Sequence, residues 1–71
     1  MHLTYEQAEI ELSRIVNQTC FAGNHWSLER VGKRWAFTLH GHELGTWRER
    51  SLRDLVRLVR YELTELGVGV A

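Results

Sequence analysis

The 71-residue sequence lacks the features that mark membrane-spanning, secreted and disulfide-bonded proteins. No apolar run approaches the ~20 residues that a bilayer-spanning helix needs. The start of the chain, Met1 to Thr4, contains neither the basic block nor the apolar block of a secretion signal. The single cysteine, Cys20, cannot form a disulfide within the chain. We therefore expect a cytoplasmic protein that makes no membrane contact.

Motifs for metal binding and covalent catalysis are also missing. His40 and His42 form an H-x-H pair, but the C-x₂-C and H-x₃-H spacings of zinc sites are absent. So are the G-x-S-x-G motif, a phosphate-binding glycine loop and a carboxylate pair. Cys20 and His25 are the remaining nucleophile–base candidates, and Cys20 ends an apolar stripe, which is typical of a buried, unreactive thiol. The sequence thus predicts a non-enzymatic protein with no catalytic residues, metal or cofactor.

Length and composition are those of one small globular domain. Hydrophobic residues make up 44% of the chain and charged residues 25%, both ordinary values. A chain this short buries only about 60% of the surface that its unfolded form exposes, so its core must be compact. No repeat or linker divides the sequence. We predict a single domain over residues 1–71, with a frayed tail at 68–71.

Two amphipathic helices are predicted, one near each end of the chain. Thr4 and Gln7 form a T-x-x-Q capping box, and the apolar stripe that follows runs out near Cys20. Ser51 and Asp54 repeat this capping pattern at the head of the second helix. Gly67 is placed to end that helix, which is predicted over residues 51–67. The predicted core face of this second helix consists of Leu52, Leu55, Val56, Val59, Leu63 and Leu66.

Between the helices the apolar period changes to two, which is typical of strands. The clearest strand has Trp35, Phe37 and Leu39 on one side. Glycine-containing turns at 32–33 and 40–42 separate three short runs, the last ending near 45–47, and they predict an antiparallel meander. Both helices are expected to pack on one face of this three-stranded antiparallel sheet, giving an α+β fold of α-β-β-β-α order. Small side chains at the centre of the other face, Ala36 and Thr38, would leave the strand backbone approachable.

A net charge of zero conceals a strong segregation of charge along the chain. Residues 1–29 sum to −3, residues 30–60 to +5 and residues 61–71 to −2. The middle of the chain is therefore basic, although the whole chain is neutral.

Four arginines share one side of the predicted second helix. At about 100° per residue they lie within an arc of about 80°, centred about 130° from the apolar stripe. Guanidinium groups bind phosphates and carboxylates in a forked geometry, so this side is a candidate binding surface; the alternative is an ordinary solvated helix face. The four are Arg50, Arg53, Arg57 and Arg60, and a second basic cluster around the first turn comprises Arg30, Lys33 and Arg34. Leu58 and Tyr61, off the apolar stripe, are candidate interface residues.

The order of elements resembles the double-stranded-RNA-binding domain. The resemblance implies phosphate contacts from a basic cluster at the head of the last helix, here Arg48, Arg50 and Arg53. The K-K-x-A-K run and the G-P-x-H turn of that family are absent. A shorter stretch, with K-R-W-A-F at 33–37 and L-G-T-W at 44–47, is similar to the three-stranded DNA-binding domains of plant ethylene-response factors and phage-type integrases. Neither resemblance identifies a family.

Two functions remain open from the sequence. The first is a module that contacts nucleic-acid phosphates through the seven basic residues of the two clusters. The second is a protein-interaction module, such as a small phage-type inhibitor, that docks on an acidic or nucleic-acid-binding surface of a larger protein. The pI of about 6.9 restrains the first, because nucleic-acid-binding domains are usually basic. A homodimer through the sheet face or edge is compatible with either.

Overall fold

The computed structural model describes residues 2–40 and 45–67. Its elements follow the order α1 (Tyr5–Asn17), β1 (Trp26–Val31), β2 (Arg34–Leu39), β3 (Gly45–Glu49) and α2 (Leu52–Gly67). The strands form one antiparallel sheet in the order β1-β2-β3. The predicted α-β-β-β-α fold is confirmed. The predicted frayed tail at 68–71 and residues 41–42 of the predicted turn at 40–42 lie outside the described residues.

Helix α1 begins as predicted and ends earlier than predicted. The Thr4 hydroxyl accepts a hydrogen bond from the Gln7 amide at 3.1 Å, and the Gln7 side chain accepts one from the Thr4 amide at 3.0 Å. The helix stops at Asn17, and the Thr19 hydroxyl then accepts from the Phe21 amide at 3.1 Å, which turns the chain. Because the helical phase does not reach Cys20, the thiol is exposed, and the prediction that it is buried is wrong.

The β1–β2 hairpin turns through Gly32 and Lys33, as predicted. Val31 pairs with Arg34 across a two-residue loop, and Gly32 has a φ of +65°. A positive φ at the first loop residue is the requirement of a type II′ turn, which glycine meets without steric cost. Strand β3 begins at Gly45, whereas the sequence predicted that the third strand ends near there.

One face of the sheet carries the core. Leu28, Phe37 and Leu39 pack there against the buried residues of both helices. The tryptophans at 26 and 47 lie on either side of Phe37, with ring centroids 5.5 and 5.9 Å from its ring. Since these two half-buried rings close the edges of a small core, they act in packing. The buried helix residues are Ala8, Leu12, Ile15, Val16, Leu52, Leu55, Val56, Val59 and Leu63.

The other face of the sheet is polar, but its centre is not approachable. Ala36 is only 2% exposed, because its cross-strand partners are the long side chains of Glu29 and Arg48. Thr38 is half-buried, and its hydroxyl lies 2.9 Å from that of Thr46. The expectation of an accessible strand backbone here is therefore wrong.

No helix in the described ranges combines the length and apolar character needed to cross a bilayer.

Candidate nucleic-acid interface

Helix α2 holds its arginines outward because its opposite side is fixed in the core. The Ser51 hydroxyl caps the helix by accepting a hydrogen bond from the Asp54 amide at 3.1 Å. Leu55, Val59 and Leu63 are completely buried, so the rotation of the helix about its axis is set. The arginine flank, which we define as Arg50, Arg53, Arg57 and Arg60, is exposed at all four residues. Arg53, Arg57 and Arg60 lie on α2, whereas Arg50 lies two residues before its first residue, so the prediction that all four belong to the helix is wrong for Arg50.

One member of the arginine flank is already engaged within the chain. The Arg60 guanidinium donates to the Glu11 carboxylate of α1 at 3.0 Å, and the other oxygen of the same carboxylate lies 3.3 Å from Arg14. Glu11 thus ties the two helices together across the surface. Its side chain is 32% exposed and that of Arg60 57% exposed, so solvent screens the pair.

The remaining three arginines of the flank have no such partner. Among residues 2–40 and 45–67, no carboxylate lies within 4.0 Å of the guanidinium of Arg50, Arg53 or Arg57. Glu49, four residues before Arg53, forms no ion pair with it either. Three exposed cations, Arg50 before the helix and Arg53 and Arg57 in its first half, therefore have no ion-pair partner in the described ranges.

An open cleft of about 540 Å³ lies at the head of α2. Arg50 and Arg53 line it, and Trp35 of β2 and Leu3 form part of its apolar wall. The Trp35 ring has two close neighbours: the Tyr5 ring, tilted by 47° with its centroid 5.8 Å away, and the Arg30 guanidinium over the ring at 5.5 Å. Through Trp35, the cleft is adjacent to the Arg30 side of the first hairpin.

The hairpin cluster is divided between the two faces of the sheet. Arg30 lies on the core face beside Trp35, and its Nε donates to the Gly32 carbonyl at 3.2 Å. Arg34 follows the opposite alternation and pairs with Val31 on the polar face, while Lys33 is exposed in the turn. Arg48 also lies on the polar face. The structure therefore places Arg30 near the head of α2 and Arg34 on the reverse of the sheet.

A second groove, of about 340 Å³, follows the outer side of α2 two turns further on. It is lined by Arg57, Arg60, Tyr61, Thr64 and Glu65. Tyr61 is 64% exposed, the highest value among the large hydrophobic residues that stand out from the described surface. Leu58, the other candidate interface residue, is half-buried and does not line this groove.

Histidine and cysteine side chains form no further site in the described ranges. No group of three or more His, Cys, Asp or Glu residues there is arranged to hold a metal ion. His40 lies 3.4 Å from the Ser27 hydroxyl, and no hydrogen bond joins Cys20 to His25, both of which the structure describes.

Sequence reasoning found the arginine flank but missed the two residues that shape it. Glu11 was counted only as negative charge on the first helix, and Trp35 only as core. No pattern of neighbouring residues predicts the contact between Glu11 and Arg60, because the two residues are 49 positions apart in the sequence. The site therefore depends on how the helices and the sheet pack.

No protein-family model, curated protein or solved structure matches the chain.

Proposed function

We propose that this chain is a non-enzymatic binding module that contacts nucleic-acid phosphates through the arginine flank of α2. The observation that carries the proposal is the row of Arg50, Arg53 and Arg57, each exposed and each without a carboxylate partner in the described ranges. Exposed guanidinium groups held on a rigid helix are ready to form forked, charge-assisted hydrogen bonds with phosphate oxygens.

The composition of the surface favours a nucleic acid over an acidic protein as partner. Protein interfaces have a desolvated core rich in apolar and aromatic side chains. Among the side chains of α2 that the structure describes, Tyr61 is the one exposed large hydrophobic residue, since Leu58 is half-buried and does not line the groove. A phosphate backbone needs no such core, since the release of its counterions supplies most of the affinity.

The neutral charge of the whole chain does not remove this local field. Glu11 pairs with Arg60. Asp54 lines the cleft together with Arg50 and Arg53 and partly offsets their charge, but it forms no ion pair with them in the described ranges. Charges more than a Debye length of about 8 Å away contribute little at physiological salt. The local surface, and not the sequence total, therefore governs the approach of a polyanion.

The test is fluorescence anisotropy with labelled DNA and RNA oligonucleotides, single-stranded and duplex, over a salt series. Three phosphate contacts predict a slope of about −2 in log K against log salt for a single strand, or about a 20-fold loss between 50 and 200 mM salt. The variant Arg53→Gln/Arg57→Gln is expected to flatten that slope by about 1.4.

A matched control removes the same charge elsewhere. Arg34→Gln/Arg48→Gln also lowers the net charge by two but changes the polar face of the sheet and leaves the flank and its Glu11 partner intact, so its slope should remain that of the parent. The proposal is wrong if no oligonucleotide binds at low salt, or if both double variants lose affinity equally. Equal binding of poly-glutamate, with the same arginine dependence, would instead support an acidic protein as the partner.

A further inference from the structure

Tyr61 is an aromatic residue that the fold does not use. Its ring has no aromatic partner and its hydroxyl no hydrogen bond within the described ranges, and it is 64% exposed. Tyr5, the other tyrosine, shows the contrast: its ring lies 5.8 Å from that of Trp35, and its hydroxyl donates to the Leu28 carbonyl at 2.8 Å. Packing therefore explains Tyr5 and leaves Tyr61 without a structural role.

The surroundings of Tyr61 are cationic and polar. Arg57, one turn earlier on α2, and Arg60, the residue before Tyr61 and the partner of Glu11, line the same groove, and Thr64 and Glu65 also line it. An exposed ring in the same groove as guanidinium groups is an arrangement by which proteins hold unpaired nucleotides: the ring stacks on a base while the cations contact the backbone. The Glu65 carboxylate adds an acceptor for an exocyclic amino group of a base.

We infer that the Tyr61 groove binds an unpaired nucleotide, so that the ligand of the arginine flank is a single-stranded nucleic acid or a single-stranded segment. This inference rests on the proposed function and specifies its substrate class. A paired base is stacked within its own duplex and cannot lie on the ring without being extruded. The groove, at about 340 Å³, falls within the usual size range of small-ligand sites.

The other aromatic rings of the chain do not compete for this role. Trp35 lines the cleft at the head of α2, but Tyr5 and Arg30 already lie against it. Trp26 and Trp47 face Phe37 in the core. Among the described aromatic residues, Tyr61 thus offers the free ring face beside the arginine flank.

The test is a double-mutant cycle between Tyr61 and the base. Parent and Tyr61→Ala proteins are titrated with a single-stranded oligonucleotide and with an abasic oligonucleotide of the same length and charge. Stacking predicts that Tyr61→Ala weakens binding of the base-containing strand by about 5- to 150-fold. The same substitution should leave binding of the abasic strand and of a duplex unchanged.

Two further variants separate stacking from other effects. Tyr61→Phe keeps the ring and should retain the parent affinity, whereas Ile10→Ala removes an exposed apolar side chain from α1 and should have no effect. Since stacking carries no charge, Tyr61→Ala should keep the salt slope of the parent.

The outcomes distinguish this inference from the function on which it rests. An equal loss of affinity for the base-containing and abasic strands, or no loss for either, would overturn the stacking role while leaving the arginine contacts in place. Failure of the parent to bind any oligonucleotide at low salt would remove the proposed function itself. Tighter binding of duplex than of single strands would retain that function and overturn the assignment of the ligand as unpaired.

Discussion

Substitution of Glu11 by glutamine should increase the affinity of the chain for nucleic acid. The Glu11 carboxylate occupies Arg60 at 3.0 Å and Arg14 at 3.3 Å, so a phosphate that approaches Arg60 must compete with it. Glutamine keeps the size of the side chain and removes its charge. Arg60 is then free to add a contact at the far end of the arginine flank.

The size of the effect follows from the exposure of the pair. Both arginine side chains are more than half exposed, and ion pairs of this kind contribute about 0.2–1 kcal/mol. Removing the competition should therefore tighten binding by about 1.4- to 5-fold and make the salt slope steeper by up to about 0.7. The stability of the fold should fall by about 1 kcal/mol or less.

The assay is anisotropy at two salt concentrations, with Glu9→Gln as the control. Glu9 is exposed on the same helix and forms no ion pair in the described ranges, so its substitution changes the net charge equally without freeing an arginine. An equal gain in both variants would show that only total charge matters. No gain in Glu11→Gln would show that Arg60 does not reach the ligand.

Three other substitutions or probes test the fold around the site. Tyr5→Phe removes the hydrogen bond to the Leu28 carbonyl and should lower the free energy of unfolding by about 1 kcal/mol in urea denaturation, with no change in nucleic-acid affinity. Gly32→Ala meets no neighbouring atom but must adopt a φ of +65°, so we expect a loss of about 1–2 kcal/mol in the same experiment. The exposed Cys20 thiol should react with a thiol reagent at the rate of a free cysteine under native conditions, and protection until unfolding would contradict its exposure.

The architecture could be predicted because its signals are local. The capping box at Thr4 and Gln7, the glycine turn at residue 32 and the serine cap at residue 51 all depend on residues within a few positions of one another. The alternation in β2 correctly placed Phe37 on the core face and its neighbours Ala36 and Thr38 on the other face. Each of these patterns has one favourable local conformation, and the tertiary structure agrees with it.

The end of α1 could not be predicted by extending its apolar stripe. Periodicity cannot distinguish a helical turn from the hydroxyl-capped turn that Thr19 forms, and so it placed Cys20 in the core. Phe21 occupies the core instead, at 5% exposure. Local side-chain hydrogen bonds compete with helix continuation, and the outcome depends on what the next apolar residue reaches.

The arginine flank was predictable, and the pattern of free and engaged arginines was not. Helical spacing is enough to group Arg53, Arg57 and Arg60 on one side of α2. Arg50 precedes the helix, so its position depends on the path of the chain before the Ser51 cap. Which of them are neutralised depends on α1, whose approach to Arg60 is set by packing of residues distant in sequence. The division of Arg30 and Arg34 between opposite faces follows from strand alternation once the register is known.

All five elements share a single core, which determines how far the effect of a bound ligand on hydrogen exchange extends. Residues of α1, β1, β2 and α2 belong to one buried cluster, and Trp47 of β3 packs against it, so α2 cannot detach without exposing the rest. Unfolding should therefore be all-or-none, and the slowest-exchanging amides of the helices and the central strand should share one opening free energy. A polyanion bound at the surface of α2 would then slow hydrogen exchange deep in the sheet that it never touches.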